Sequence, residues 1–181
     1  MPVYIGLLRA VNLGGATQVG MEPLRTLLSR MGLEEVHSLL QSGNVVFRST
    51  ETNGSALEKR LEERVARDLG VRTDIFVRTS AEWDSVISGN PFVREAKADP
   101  GHLLVTALKD APAREAWKKL DAAIQGRERV RGVGRHAYIV YPDGIGRSRL
   151  TAAVIEENLG ARGSSRNWNT VTKLAALASR F

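Results

Sequence analysis

Val36-His37-Ser38-Leu39-Leu40-Gln41-Ser42-Gly43-Asn44-Val45-Val46-Phe47-Arg48-Ser49 is the stretch that decides how this chain reads. Two runs containing β-branched and aromatic residues flank Ser42-Gly43, a pair suited to a turn. Val36–Gln41 and Asn44–Ser49 are therefore expected to form a β-hairpin. Upstream, Glu22–Met31 sets Leu24, Leu27, Leu28 and Met31 at helical spacing, with Pro23 in the first turn and Gly32 past the end. Before that helix, Val3–Arg9 reads as a buried strand and Val11-Asn12-Leu13-Gly14-Gly15 as a loop. Downstream, Ser55–Leu69 carries Leu57, Leu61, Val65 and Leu69 on one stripe and stops at Gly70, and Arg72–Arg78 alternates about Ile75 and Phe76 as a fourth strand. The order over the first 78 residues is βαββαβ. That is the ferredoxin-like split βαβ, a four-stranded antiparallel sheet with two helices on one face.

The order then begins again. Ala81–Ser88 reads as a connecting helix stopped by Gly89-Asn90-Pro91, and Lys97–Gly101 as the best linker. His102–Lys109 is a strand and Pro112–Ile124 a helix. Arg127–Val133 and His136–Tyr141 pair across Gly134, Arg149–Leu159 is a helix ended by Gly160, and Asn167–Leu177 is a last helix. Arg162–Arg166 reads either as the closing strand or as loop. The expected fold class is α+β: two ferredoxin-like (α/β plait) halves with antiparallel sheets, plus a C-terminal helix. The halves are 1-78 and 79-181, the second including the connecting helix 81-88 and the terminal helix 167-177.

A length of 181 residues suits one domain or two small ones. With 43% hydrophobic and 25% charged residues, the composition is that of an ordinary folded protein. The absence of Cys excludes disulfides, thiolate nucleophiles and Cys-based metal clusters. Three scattered His residues without paired spacing give no metal site. The apolar N-terminal run is too short for a signal peptide and no stretch is long enough to span a bilayer, so no membrane partner and a cytoplasmic location are expected. The net charge of +6 is unevenly placed: residues 1–78 contribute +1, residues 79–126 −1 and residues 127–181 +6. Nine of the ten cations in the last third are Arg, whose planar fork binds phosphate and carboxylate at two points. That third reads either as an anion-binding face or as a solvated surface in a chain that prefers Arg to Lys.

Four segments also carry a resemblance. They are Tyr4-Ile5-Gly6-Leu7-Leu8-Arg9-Ala10-Val11-Asn12-Leu13-Gly14-Gly15, Gln41-Ser42-Gly43-Asn44-Val45-Val46-Phe47, Tyr141-Pro142-Asp143-Gly144-Ile145-Gly146-Arg147-Ser148-Arg149-Leu150 and Ser165-Arg166-Asn167-Trp168-Asn169-Thr170-Val171. In order and spacing they resemble domain of unknown function 1697, a family of uncharacterised bacterial proteins, over nearly the whole chain. The resemblance implies two ferredoxin-like halves and assigns no activity. Two positions depart from the family pattern: Ala10 stands where Gly is usual, and Arg149 where Lys is usual.

Several residues have a chemistry to test. Gly14 and Gly15, after a strand, permit close approach of an anion to backbone N–H groups, with Arg9 and Asn12 as directed donors. The spacing is neither of the usual phosphate-loop patterns, and a tight strand-to-helix connection is the preferred reading there. Gln41, Ser42 and Asn44 either pair with their own turn, the favoured role, or project toward a ligand shared with the first loop. Arg147-Ser148-Arg149 is expected to open a helix with Ser148 as its N-cap. Two cations at that positive end oppose the helix dipole, and a bound anion would offset the penalty. The plainer alternative is that they face solvent or pair with Asp143 and Glu156. Arg166, Asn167, Asn169 and Lys173 surround the next helix start; Asn167 or Asn169 suits its cap, and in the anion-binding reading Arg166, Asn169 and Lys173 converge with Arg147 and Arg149. No nucleophile motif is present, and no reaction or cofactor is assigned.

Nucleic acid is a second possible partner through the basic last third, but without an aromatic stacking platform. The strand Gly43–Phe47 has one aromatic residue, and Tyr138 and Tyr141 fall on opposite faces. Three readings stand at this point: a binder of a small phosphorylated or carboxylated ligand, a nucleic-acid-binding accessory protein, and a structural or protein-interaction module.

Overall fold

The computed structural model of the chain describes residues 1–12 and 17–181. Its first sheet comes from β1 (Val3–Leu8), β2 (Glu34–Leu39), β3 (Asn44–Arg48) and β4 (Ile75–Thr79), with α1 (Met21–Arg30) after β1 and α2 (Gly54–Leu69) after β3. The strands lie in the order β2-β3-β1-β4, every neighbouring pair antiparallel. Alternation along each strand sends Tyr4 and Leu8, Val45 and Phe47, and Ile75 and Val77 to one face. There they pack with Leu24, Leu27 and Leu28 of α1 and Leu57, Leu61 and Val65 of α2. Each such side chain contributes about 1.5–3 kcal/mol of burial. At the start of α2 the Asn53 side chain accepts from the Ala56 N–H at 3.0 Å, and Gly70 ends the helix in the left-handed region at φ 69°.

The edge strand β4 is closed by carboxylates. The bond from the Arg9 N–H to the Asp74 carbonyl sets the phase of the β1–β4 ladder, so Ile75, Val77 and Thr79 turn their N–H groups outward. Ile75 donates to Glu62 Oε1 (2.8 Å), Val77 to Glu58 Oε1 (2.8 Å) and Thr79 to Glu82 Oε2 (2.7 Å). Glu58 and Glu62 lie one turn apart on α2, so the helix that packs on the sheet also seals its edge.

After β4 come α3 (Ser80–Ser88), α4 (Val93–Ala98) and a short turn of 3₁₀ helix at Pro100–His102. The second sheet follows: β5 (Leu103–Leu108), α5 (Arg114–Ala123), β6 (Arg129–Val133), β7 (His136–Val140), a 3₁₀ turn at Ile145–Arg147, α6 (Ala152–Leu159), β8 (Gly163–Asn167), and last α7 (Trp168–Ala178). Its order, β6-β7-β5-β8, repeats that of the first sheet. Leu108, Val130, Ala137, Ile139 and Tyr141 pack with Leu120 of α5 and Ile155 and Leu159 of α6. The fold is α+β with two ferredoxin-like halves. The compact units are Met1–Ser85 with Lys173–Phe181, and Val86–Thr172. Their limits therefore fall within α3 and α7, whereas the sequence reading divides the chain after residue 78.

Two expectations need correction, and one open alternative is decided. Lys97–Gly101 is not a linker: it finishes α4 and forms the 3₁₀ turn inside the second unit. The periodicity of α4 is too short to stand out between Pro91 and Pro100. Arg149 does not begin a helix. The α6 N-cap is Thr151, whose side chain accepts from the Val154 N–H, and Ser148 ends the preceding 3₁₀ turn. The ambiguous segment near Arg162–Arg166 is a strand, shifted to Gly163–Asn167 and paired with β5.

Candidate functional site

In the first unit, the motif residues hold one another. Arg9 sits 3.5 Å from the Asp74 carboxylate, and its carbonyl accepts from Thr73 Oγ1 at 2.7 Å. Asn12 is left-handed at φ 59°, as are Ala10 at φ 50° and Leu40 at φ 60°. The Asn12 carboxamide accepts from the Val19 N–H and donates to the carbonyls of Val19 (2.8 Å) and Gln41 (2.5 Å). It thereby ties the two arms of the first loop together and joins both to the β2–β3 turn. Gly43, at φ 76°, donates no side chain to that contact, and a Cβ there would lie 2.6 Å from Val11 Cγ2 and 2.8 Å from Leu8 Cβ. Fully buried Asn44 donates to the Leu39 carbonyl (3.0 Å) and to Ser42 Oγ (2.9 Å). Asn12, Asn44 and Ser42 thus bond the chain's own turns, and Gln41 enters through its backbone carbonyl. Gly14 and Gly15 lie outside the described residues.

In the second unit, Arg147, Ser148 and Arg149 line a cleft of about 270 Å³ with Gln125, Gly126, Glu128 and Asp143. The β6–β7 register explains the meeting. Arg129 pairs with Val140, so the residues before β6 lie beside those after β7. Most polar groups of the cleft are committed. Arg127 makes a two-point ion pair with Asp143, Nε to Oδ2 at 3.1 Å and Nη2 to Oδ1. Those bonds hold the Asp143 carboxyl below its ordinary range. Ser148 Oγ donates to Glu128 Oε1 at 2.6 Å and accepts from the Leu150 N–H at 3.0 Å. Arg149 donates to Gln125 Oε1 at 2.9 Å. Gly126 leaves room for the Glu128 carboxylate, whose Oε2 lies 2.5 Å from where a Cβ would stand. Tyr141, behind the cleft, donates its hydroxyl to the Leu150 carbonyl. Burial, aided by the negative charge of Glu128, pushes this hydroxyl up to about 12. Arg147 is exposed and forms no ion pair or hydrogen bond through its side chain among the described residues.

The remaining residues separate by role. Arg166 lies in β8 and is also the residue just before Asn167, which caps α7. Its Nη1 donates to Ser164 Oγ (2.8 Å) and the Ser165 carbonyl (2.9 Å), and burial pushes its guanidinium down to about 10. Asn167 caps α7 by accepting from the Thr170 N–H at 3.0 Å. Asn169 and Lys173 are exposed on α7. Sequence reasoning missed Gln125, Gly126 and Glu128. The signal was available: residues that flank a hairpin's open end must converge.

A family model described as "Protein of unknown function (DUF1697)" matches residues 1–138. No curated relative matches the sequence. Among solved structures, the chain is similar to that of the conserved bacterial protein SP0830 from Streptococcus pneumoniae, with a TM-score of 0.77 and 17% identity over 98% of each chain. That likeness carries the two-half fold across a large sequence distance and nothing about activity. With three quarters of its length under the family model, the chain belongs to the DUF1697 family of proteins of unknown function.

Proposed function

We propose that the protein binds a small phosphorylated or carboxylated ligand in the cleft between the Gln125–Glu128 turn and the Asp143–Arg149 loop. One observation carries this reading. Arg127 pairs with Asp143, while Glu128 and Arg149 keep their charges beside the neutral partners Ser148 and Gln125, and the Arg147 guanidinium has no side-chain partner among the described residues. A guanidinium with no internal partner keeps its full two-point donor capacity for a phosphate or carboxylate. The Gln125-held Arg149 supplies a second, pre-oriented donor. A cleft of about 270 Å³ suits a compact anion rather than a polymer.

The test is thermal unfolding against sulfate, a nucleoside mono- and triphosphate, a sugar phosphate, a dicarboxylate and a short mixed oligonucleotide. At a hundred times its dissociation constant, a ligand adds about 2.7 kcal/mol. The expected result is a rise with one small anion that Arg147→Ala abolishes and that salt weakens only shallowly, as one or two ionic contacts require. A flat panel overturns the reading. A rise with the oligonucleotide alone replaces it with nucleic-acid binding.

A further inference from the structure

The two sheets end differently. On β4, all three outward N–H groups meet carboxylates. On β8, Gly163 turns outward and its N–H meets Glu156 Oε1 at 3.1 Å, while the Ser165 carbonyl takes the Arg166 guanidinium. On β2 a bulge between Glu34 and His37 interrupts the edge, with Glu35 left-handed at φ 48°. The edge of β6 is capped at one carbonyl and at no N–H among the described residues. The bond from the Leu108 N–H to the Arg135 carbonyl fixes the β5–β7 phase, so β7 uses His136, Tyr138 and Val140 toward β6. Val133, Arg131 and Arg129 face them, and Val130 and Gly132 present their N–H and C=O groups outward. Of these four groups, only the Val130 carbonyl has a partner among the described residues, the Arg131 guanidinium at 2.8 Å.

A groove of about 460 Å³ runs beside this open edge, bounded by Arg114, Trp117, Lys118, Asp121 and Arg131. Gly132 makes room for Trp117, whose indole lies 2.3 Å from the position of a Cβ there. An apolar ring thus forms the floor next to unpaired backbone groups. Val133, at the end of the strand, is 52% exposed. Three cations and one carboxylate border the groove.

We infer that β6 takes an additional strand from an acidic, extended segment of another protein. Backbone groups at Val130 and Gly132 give the ladder, Trp117 receives an apolar side chain, and Arg114, Lys118 and Arg131 receive carboxylates. The charge decides the occupant. A second copy of the chain would bring its own Arg129 and Arg131 against these, and like charges facing across a ladder are destabilising. An acidic strand meets the opposite sign. This site is separate from the cleft at Arg147 and does not depend on it.

The experiment is amide hydrogen exchange of the full chain with and without a short peptide of alternating Val and Glu. The control is the same peptide with Lys for Glu. With the acidic peptide, exchange at Val130 and Gly132 is expected to slow about tenfold or more. Arg129 and Arg131, already in the ladder, should change little. The double charge reversal Arg114→Glu with Arg131→Glu, both on the surface, should weaken binding about tenfold or more and restore affinity for the Lys peptide. No slowing at Val130 and Gly132 at millimolar peptide overturns the inference. Equal binding of both peptides overturns it, as does protection confined to another edge. Oligonucleotide binding that spares the two amides assigns the cations to nucleic acid instead.

Discussion

The corner formed by the first loop and the β2–β3 turn, and the cleft formed by the residues flanking β6 and β7, are built from similar polar material. They use it in opposite ways. At the corner, Asn12 accepts from one N–H and donates to two carbonyls, while Gly43 lets Leu8 and Val11 close over the turn. At the cleft, committed pairs surround one guanidinium, that of Arg147, which has no partner among the described residues. A motif is therefore not a site by virtue of its residue types. What distinguishes the two regions is whether the polar groups satisfy one another or leave a remainder.

The comparison can be broken most forcefully at Gly43. Gly43→Ala places a methyl group against Val11 and Leu8 in a left-handed backbone, and a loss of about 3 kcal/mol is expected in urea unfolding. A variant as stable as the parent would show that the corner is loosely closed. Asn12→Ala should cost about 2 kcal/mol, because it strands the Val19 N–H and two carbonyls and removes a residue tolerant of positive φ. If Asn12→Ala were silent, the corner would lose its claim to be structural.

At the cleft, smaller effects on stability are expected. Arg147→Ala should change unfolding by less than about 0.5 kcal/mol, since nothing internal depends on it. A destabilisation comparable with that of Asn12→Ala would show that this arginine, too, serves the fold.

Tyr141 behind the cleft and Tyr138 on the opposite face of the sheet should both be visible in alkali. Burial pushes the hydroxyls of Tyr138 and Tyr141 up to about 12, from 10.0 in an exposed tyrosine. A raised acid favours the protonated folded state, so the contribution is whole below pH 10. It falls as pH rises from 10 toward 12, because the unfolded chain ionises first. Tyr141→Phe should flatten that fall, and an unchanged slope would show that Tyr141 ionises as freely folded as unfolded. The smallest effect is local: Arg127→Ala should return the Asp143 carboxyl toward its ordinary range in an NMR titration, with global stability hardly altered. An unmoved Asp143 would mean that the ion pair is not what holds it down.

Much of the fold is legible in the residues because its signals are local. Leu24, Leu27 and Leu28 repeat with the helix, and Tyr4 and Leu8 fall on one side of a strand whatever surrounds them. The repeated βαββ order names the plait before any contact is known. The misreadings arose where local signals compete. Ser148 and Thr151 are both good caps three residues apart; Thr151 takes the cap of α6, while Ser148 bonds Glu128 and the Leu150 N–H. Arg166 does precede α7, and what the sequence leaves open, strand or loop for Arg162–Arg166, is decided by pairing with Val105 of β5.

The sequence by itself determined the order of elements, the apolar faces and the surplus of arginine in the last third. These follow from periodicity and composition, which act over one or two turns of chain. The tertiary structure alone decided which of those arginines are committed and which sheet edges are covered. Arg127 finds Asp143 because β6 and β7 are in register, Arg147 in the same cleft finds no partner among the described residues, and α2 seals β4 with Glu58 and Glu62 where β6 has no counterpart. Pairing of charges and capping of edges depend on distances between residues far apart in the chain, and those distances exist only once the sheets have formed.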